Sequence, residues 1–502
     1  MSQRKKGAAL SYVYIFITIA VGLLITPFTI NHLGKREYGL YTLIGGIASS
    51  MQILEFGLND TVVRFMSRFH AHDDIEGERN FLAIMNRIYG FISLAVLVVG
   101  TALLFLLPVI FPKIDPTLIG AAKIMLAVSV VNVAVTLFIN PFTASIVAYE
   151  RFVLLRSLDV ATVVVSNAGV VLVLLAGQKS LAMVLVICTT SFIILTIKLC
   201  YALFVLKIRP KLTRFDPAQV KEIFAFSSAV FIVVIVEQIY WRLDGLILGA
   251  MISLEAVAVY NLGMSFSKYF MSFSTAISKV MMPRVVQRVE KGADAKELTD
   301  ILITISRYQA LVLLPVMVGL IVFGREFIHL WIKKQDFSAA YWVMLVTVIP
   351  YSVELIGNTR NQIMQAKNIY WHRSRVILVI SLVNVVLTVI LIAVMGMVGA
   401  AISTGIGIIC GYVWINEVLK KELGLDIGRY RRELVSGLLP AMLLAAAVGW
   451  ATYVIPGSNW GVLILRMAVF GLASVASIWY IGARPHEREL VLGMVAKRRK
   501  AA

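Results

Sequence analysis

The sequence predicts an all-α integral membrane protein with about fourteen transmembrane helices, and three observations carry that prediction. Of its 502 residues, 59% are hydrophobic and 15% charged, against roughly a quarter charged in soluble domains. So few charges cannot cover a soluble surface of this size. The apolar residues also gather in runs of about 20, the length a helix needs to cross a bilayer. The loops between runs are short, which leaves no room for a sizeable soluble domain.

The first run, 10–30, follows Arg4, Lys5 and Lys6. It is longer than a signal-peptide core and no small-residue cleavage site follows it, so it reads as a retained helix. The second and third, 39–63 and 88–111, flank a charged stretch at 64–87. Spans at 119–148, 157–176 and 181–206 complete a first group of six. A polar linker, 207–224, leads to 225–249, 257–282, 301–323, 340–365, 376–395 and 398–419. A second linker, 420–433, precedes the spans 434–455 and 462–481, and a basic tail occupies 482–502. The predicted organisation is therefore 1–206, 225–419 and 434–481, joined by the two linkers. Cys188, Cys200 and Cys410 all lie inside apolar runs, with spacing that fits neither a disulfide framework nor a metal motif.

The 47 basic and 28 acidic residues leave a net charge of +19. With the N-terminus in the cytoplasm, thirty-two cations fall in the termini and even-numbered loops and eight in or beside the odd-numbered ones. This is a strong positive-inside asymmetry, and it places both termini in the cytoplasm. It also removes nucleic acid as a partner, because no contiguous basic face or recognition helix is present.

Ionisable groups at membrane depth are costly and mark cavities or partners. Projected at 100° per residue, the eighth span aligns Asn261, Ser265, Lys268, Ser272, Thr275 and Lys279 within about 80°. Its hydroxyls and amide suit either a hydrated cavity or contacts between helices. Lys268, near mid-span, is too deep to snorkel easily and points to a cavity. The tenth span aligns Tyr351, Glu354, Asn358, Asn361, Gln362 and Gln365 within about 100°, with Arg360 off that arc and near enough to the cytoplasmic end to snorkel. The second places Gln52, Glu55 and Asn59 on one face, followed by Asp60 and Arg64 in the acid-first order of an i,i+4 pair. The seventh carries Glu237, Arg242 and Asp244. Glu237 near mid-membrane is either a coupling carboxylate or one neutralised by a neighbouring cation such as Lys268 or Arg64. No phosphate-binding loop, catalytic triad or metal cluster is present in the sequence, so neither an enzyme nor a cofactor is expected.

Residues 27–41 read PFTINHLGKREYGLY and residues 55–64 read EFGLNDTVVR. Further on, Asp244-Gly-Leu-Ile-Leu-Gly249 precedes Val257-Ala-Val-Tyr260-Asn261-Leu262. These stretches resemble the signatures of bacterial polysaccharide transporters, the oligosaccharide-lipid flippases of the superfamily that also holds the multidrug-and-toxin extruders. The Leu33-Gly34 to Tyr41 and Leu248-Gly249 to Tyr260 segments are similar to one another, six spans apart. The resemblance implies two parallel, pseudo-symmetric six-helix lobes of MATE type plus two C-terminal helices. The first, second, seventh and eighth spans would then line a central cavity.

The resemblance further implies translocation of a polyprenyl-pyrophosphate-linked oligosaccharide from the inner to the outer leaflet of a bacterial inner membrane, by alternating access. Lys268, Lys279, Arg64 and Arg242 become candidates for its anionic head group. Asn59, Asn261, Asn358, Asn361 and Gln365 become candidates for its sugar hydroxyls, and Glu237, Asp244, Glu55 and Glu354 for ion coupling. The expected partners are the lipid-linked oligosaccharide, membrane lipids, H+ or Na+, and polysaccharide polymerase or assembly proteins. Two alternatives on the same fold remain: a cation-coupled multidrug exporter and a peptidoglycan-precursor flippase.

Overall fold

The computed structural model describes residues 3–213, 242–367 and 369–489. Glu237, the opening of the seventh expected span, most of the first linker and the end of the basic tail lie outside the described residues. Within them the chain is helical and has no strand. It divides into two compact units, residues 1–261 and 262–502.

In the first unit, α1 (Gln3–Ser50) joins two expected spans through Gly34, whose φ of 74° and ψ of 169° break the helix without ending it. Only glycine adopts that conformation without strain. A 3-10 turn, Met51–Glu55, follows, then α2 (Leu58–Ala71). α3 (Ile75–Ile110) and α4 (Pro116–Ala148) begin at Asp74 and Asp115, each of which caps its helix by accepting from a backbone N–H at 2.8 Å. That is the usual repair for the orphan donors of a first turn. α5 (Phe152–Leu175) and α6 (Ser180–Cys200) complete the packed set, with α3 on α4, α1 on α5, and α6 against both α4 and α5. Helix α7 (242–251) and the start of α8 (Leu254–Glu290) pack with this unit.

The second unit holds the rest of α8 with α9 (Ala295–Trp331), α10 (Ser338–Ile356) and α11 (Thr359–Ala366). α12 (Tyr370–Leu423) joins two expected spans through Gly396, at φ 61°. α13 (Ile427–Val435), α14 (Leu438–Ala451) and α15 (Trp460–Ser477) follow. The last three helices lie against α9. They are fastened there by Arg307, only 1% exposed, whose side chain binds Glu487 and the carbonyls of Glu433, Ser436 and Gly482.

Ten stretches of the described residues are long and apolar enough to cross a membrane. Two of them contain the breaks at Gly34 and Gly396. α8 is not among the ten, because its polar stripe dilutes its hydropathy, so its 37 residues count separately. Phe16, Phe105, Leu172, Val394 and Leu472 stand exposed, an arrangement that hydrocarbon surroundings favour and water opposes.

Two expected helical faces do not survive. Phe56 and Gly57 both adopt left-handed conformations, φ 55° and 66°, and break the second span between Glu55 and Asn59. Gln52, Glu55 and Asn59 therefore share no regular helical face. The tenth span breaks at Gly357–Asn358, between α10 and α11, so its six polar residues lie on two helices.

Candidate functional site

Among the described residues, the polar side chains singled out by the sequence fall in three groups. The first is the stripe of α8, and its helix runs unbroken from Leu254 to Glu290. Lys268 is exposed on this face, while Asn261, Ser265, Ser272 and Thr275 are half-buried; Leu262, Met264, Phe266 and Phe270, on other faces, are buried. The polar groups of the stripe turn back on their own helix. Ser265 donates to the Leu262 carbonyl (2.6 Å), Ser272 to Lys268 (3.0 Å), Thr275 to Met271 (2.9 Å) and Asn261 to Val257 (3.0 Å). Helical Ser and Thr commonly satisfy themselves this way. Serines that join helices lie off the stripe, among them Ser267 with Thr347 (2.8 Å) and Ser274 with the Leu355 carbonyl (3.0 Å). The side chain of Lys279 lies outside the description.

The second group is in the first unit, where the 3-10 turn delivers Glu55. Its Oε1 accepts from Asn140 Nδ2 (2.8 Å) and from Tyr89 Oη (3.1 Å), two neutral donors on α4 and α3. Neither partner stands out in the sequence beyond one signal, that Asn140 is an amide in an apolar run just ahead of Pro141. Nearby in sequence, Asn59 is half-buried and Asp60 and Arg64 are exposed. Tyr260 donates to the buried Asp244, joining α8 to α7, and Arg242 is half-buried.

The motif glycines of this unit have a packing reason. A Cβ on Gly39 would fall on the backbone carbonyl of Leu254, and one on Gly249 would press on Leu43 Cδ1 at 2.7 Å. Bare glycine lets the second half of α1 approach the turn between α7 and α8.

The third group surrounds the α10–α11 break. Arg360 does not snorkel. It is 1% exposed and donates to Glu354 Oε2 (2.9 Å), Asn416 Oδ1 (2.9 Å) and the carbonyls of Gly357 (2.9 Å) and Glu354 (3.2 Å). Its guanidinium also lies 4.2 Å from the centre of the Tyr412 ring. A cation at a helix C-terminus both binds the orphan carbonyls and complements the dipole, so Arg360 holds the break open and holds Glu354 with it. On the other side, Ser278 accepts from Asn358 Nδ2 (3.2 Å), Asn361 donates to Asn358 Oδ1 (2.8 Å) and Gln362 donates to the Ser278 carbonyl (2.6 Å). With the Gln309 amide oxygen accepting from Ser278 Oγ (2.6 Å), its nitrogen donates to the Leu355 carbonyl (2.9 Å). Asn358 and Asn361 are thus brought together, whereas Gln365 is exposed on α11.

Comparison with known proteins follows the same outline. A probable flippase, AglR, from Haloferax volcanii is 23% identical over 434 residues, 84% of this chain and 85% of that protein. A probable low-salt glycan biosynthesis flippase, Agl15, from the same organism is 23% identical over 186 residues, 37% of this chain and 39% of that protein. Among solved structures, the lipid II flippase MurJ in an inward closed conformation superposes with a TM-score of 0.73, covering 97% of this chain and 99% of that one at 14% identity. An inward-facing multidrug resistance transporter of the MATE family gives 0.61, covering 81% and 98% at 11% identity. The chain therefore has the all-helical fold of these membrane proteins. The sequence profile described as polysaccharide biosynthesis protein matches residues 33–341, more than half of the chain, and the chain belongs to that family.

Proposed function

We propose that this protein is a flippase that carries a polyprenyl-pyrophosphate-linked oligosaccharide from the inner to the outer leaflet by alternating access, without catalysing a reaction. The observation that carries the proposal is Lys268. It is exposed near the middle of a continuous helix on a face of small polar groups, in a chain of the polysaccharide biosynthesis family. A cation on a polar face at membrane depth suits a hydrated cavity that receives an anion, and a pyrophosphate is such an anion. Lys279, Arg64 and Arg242 are assigned to the same head group, and Asn59, Asn261, Asn358, Asn361 and Gln365 to sugar hydroxyls. Two relatives named as probable flippases, one of them a glycan biosynthesis flippase, support this substrate class.

For coupling, Glu55 is the preferred carboxylate. Asp244 is buried against Tyr260 and Glu354 is engaged by Arg360, while the partners of Glu55 are a phenol and an amide. A carboxylate with neutral partners takes up H+ or Na+ without first breaking an ion pair. Glu237 remains assigned to the same role. The basic residues favour both termini in the cytoplasm, and the resemblance to bacterial polysaccharide transporters favours a bacterial inner membrane, where polymerase or assembly proteins would receive the product.

The test is export in cells whose own flippase is deleted. Lys268→Ala should lower appearance of the lipid-linked glycan on the outer surface roughly tenfold or more, the worth of one charge-assisted hydrogen bond, with Lys268→Arg retaining most export. Unchanged export in correctly inserted Lys268→Ala would remove Lys268 from the site. The match to the lipid II flippase over nearly all of both chains favours a second reading, a peptidoglycan-precursor flippase. Complementation of each pathway by the same gene separates the two. Efflux of cationic dye by the purified chain would instead identify a drug exporter.

A further inference from the structure

We infer that the first unit contains a groove for the isoprenoid tail of the substrate, an assignment that rests on the flippase reading above. The groove encloses about 550 Å³ between the second half of α1 with its 3-10 turn, the last third of α3, and α7. Ile47, Leu54, Val99, Leu103, Leu246 and Ala250 are among its walls. The one polar side chain in the lining, Ser50, turns its hydroxyl onto the Gly46 carbonyl of its own helix at 2.9 Å. Walls without a free donor or acceptor recognise neither a saccharide nor a phosphate; they bury hydrocarbon.

The 3-10 turn selects which hydrocarbon. Ile53 and Leu54 line the groove, and the next residue, Glu55, accepts from Tyr89 and Asn140. One short turn thus joins an apolar channel to a hydrogen-bonding site within the span. A bulk phospholipid keeps its head group at the membrane interface. A channel that ends beside a polar site at membrane depth suits a lipid whose head group is drawn into the protein. Along α3 the lining runs from Val99 to Ile110, about 16 Å at helical rise, or half of a hydrocarbon core of about 30 Å. The groove therefore takes the first part of a long polyprenyl chain and leaves the remainder in the bilayer.

The experiment uses the full chain in liposomes of phosphatidylethanolamine and phosphatidylglycerol. The substrate is a pyrophosphate-linked disaccharide on either a long polyprenol or geraniol, and flipping is read by access of an external lectin. Leu103→Trp fills the groove from α3 and Ala250→Phe from α7. At the usual free energy of burying a methylene, excluding two of them weakens binding about tenfold. Each variant should therefore slow the long-tailed substrate about tenfold more than the geranyl one. Equal slowing of both substrates, or of neither, overturns the assignment. Because a large side chain can disturb the fold, p-benzoylphenylalanine in place of Leu103 gives a second readout. Light-induced adducts with the long polyprenyl pyrophosphate in excess phospholipid support the groove, and adducts with phospholipid alone overturn it. If the wild-type chain flips neither substrate, the flippase reading fails, and the adducts still decide what the groove holds.

Discussion

Arg307→Met should destabilise the second unit by about 3–5 kcal/mol, the usual cost of removing one partner from a buried ion pair. All five guanidinium N–H groups have an acceptor. Nε and Nη2 bind Glu487 at 2.6 and 3.0 Å, Nη1 binds the Glu433 and Ser436 carbonyls at 2.9 and 3.2 Å, and Nη2 also binds the Gly482 carbonyl at 2.8 Å. Methionine fills most of the arginine stem but leaves Glu487, 7% exposed, with the backbone N–H of Arg484 (2.8 Å) as its remaining short contact among those described. Glu487→Gln should cost less, about 1–3 kcal/mol. The double change Arg307→Met with Glu487→Met should recover at least about 1 kcal/mol relative to the sum of the single changes.

Thermal unfolding of the detergent-purified protein measures this, with a drop of at least several degrees expected for the single change. Burial alone would raise the Glu487 carboxyl, but Arg307 and the Arg484 backbone N–H hold it below the ordinary glutamate range. Its contribution is therefore complete at neutral pH and disappears only as pH falls through the lowered value. A variant as stable as wild type at pH 7, or an advantage that fades already between pH 7 and 5, would refute the reasoning.

Glu55→Gln preserves the shape of the Tyr89 and Asn140 contacts while removing the charge, so it should flatten the pH or sodium dependence of transport in liposomes; an unchanged profile makes Glu55 structural. Arg360→Lys keeps the charge but cannot meet four acceptors and stack on Tyr412, so denaturant titration should show a loss of about 2–3 kcal/mol. Gly39→Ala forces a methyl onto the Leu254 carbonyl, and its yield of folded, monodisperse protein should fall sharply. Gly45→Ala, with nothing within 4 Å, should be neutral or slightly stabilising on the same chromatogram. Equal behaviour of the two would contradict the close packing described for Gly39.

Much of this protein was legible before any fold was known, because bilayer thickness and the cost of burying polar backbone leave a sequence few options. The apolar runs and the stripe containing Lys268 follow from spacing along the chain, and α8 is indeed continuous. The stripe's hydroxyls proved to serve their own helix, whereas Ser267, Ser274 and Ser278, which no single-helix projection singled out, make contacts between helices.

What only the tertiary structure decided lies at the breaks and across the spaces between helices. Helical projection assumes an unbroken helix, and that assumption fails at Phe56–Gly57 and at Gly357–Asn358, where local geometry removes residues from the face the projection gave them. Arg360 sits near a predicted cytoplasmic end, so sequence position suggested a side chain reaching for water. The fold instead places orphan carbonyls, Glu354 and Asn416 around it. Likewise Glu55 acquires its chemistry from Tyr89 and Asn140, 34 and 85 residues away. The sequence by itself determined which segments are apolar enough to enter a membrane and which charges lie within them. Only packing determined which of those charges are already satisfied by the protein, because a partner on another helix leaves no periodic trace in the chain that needs it.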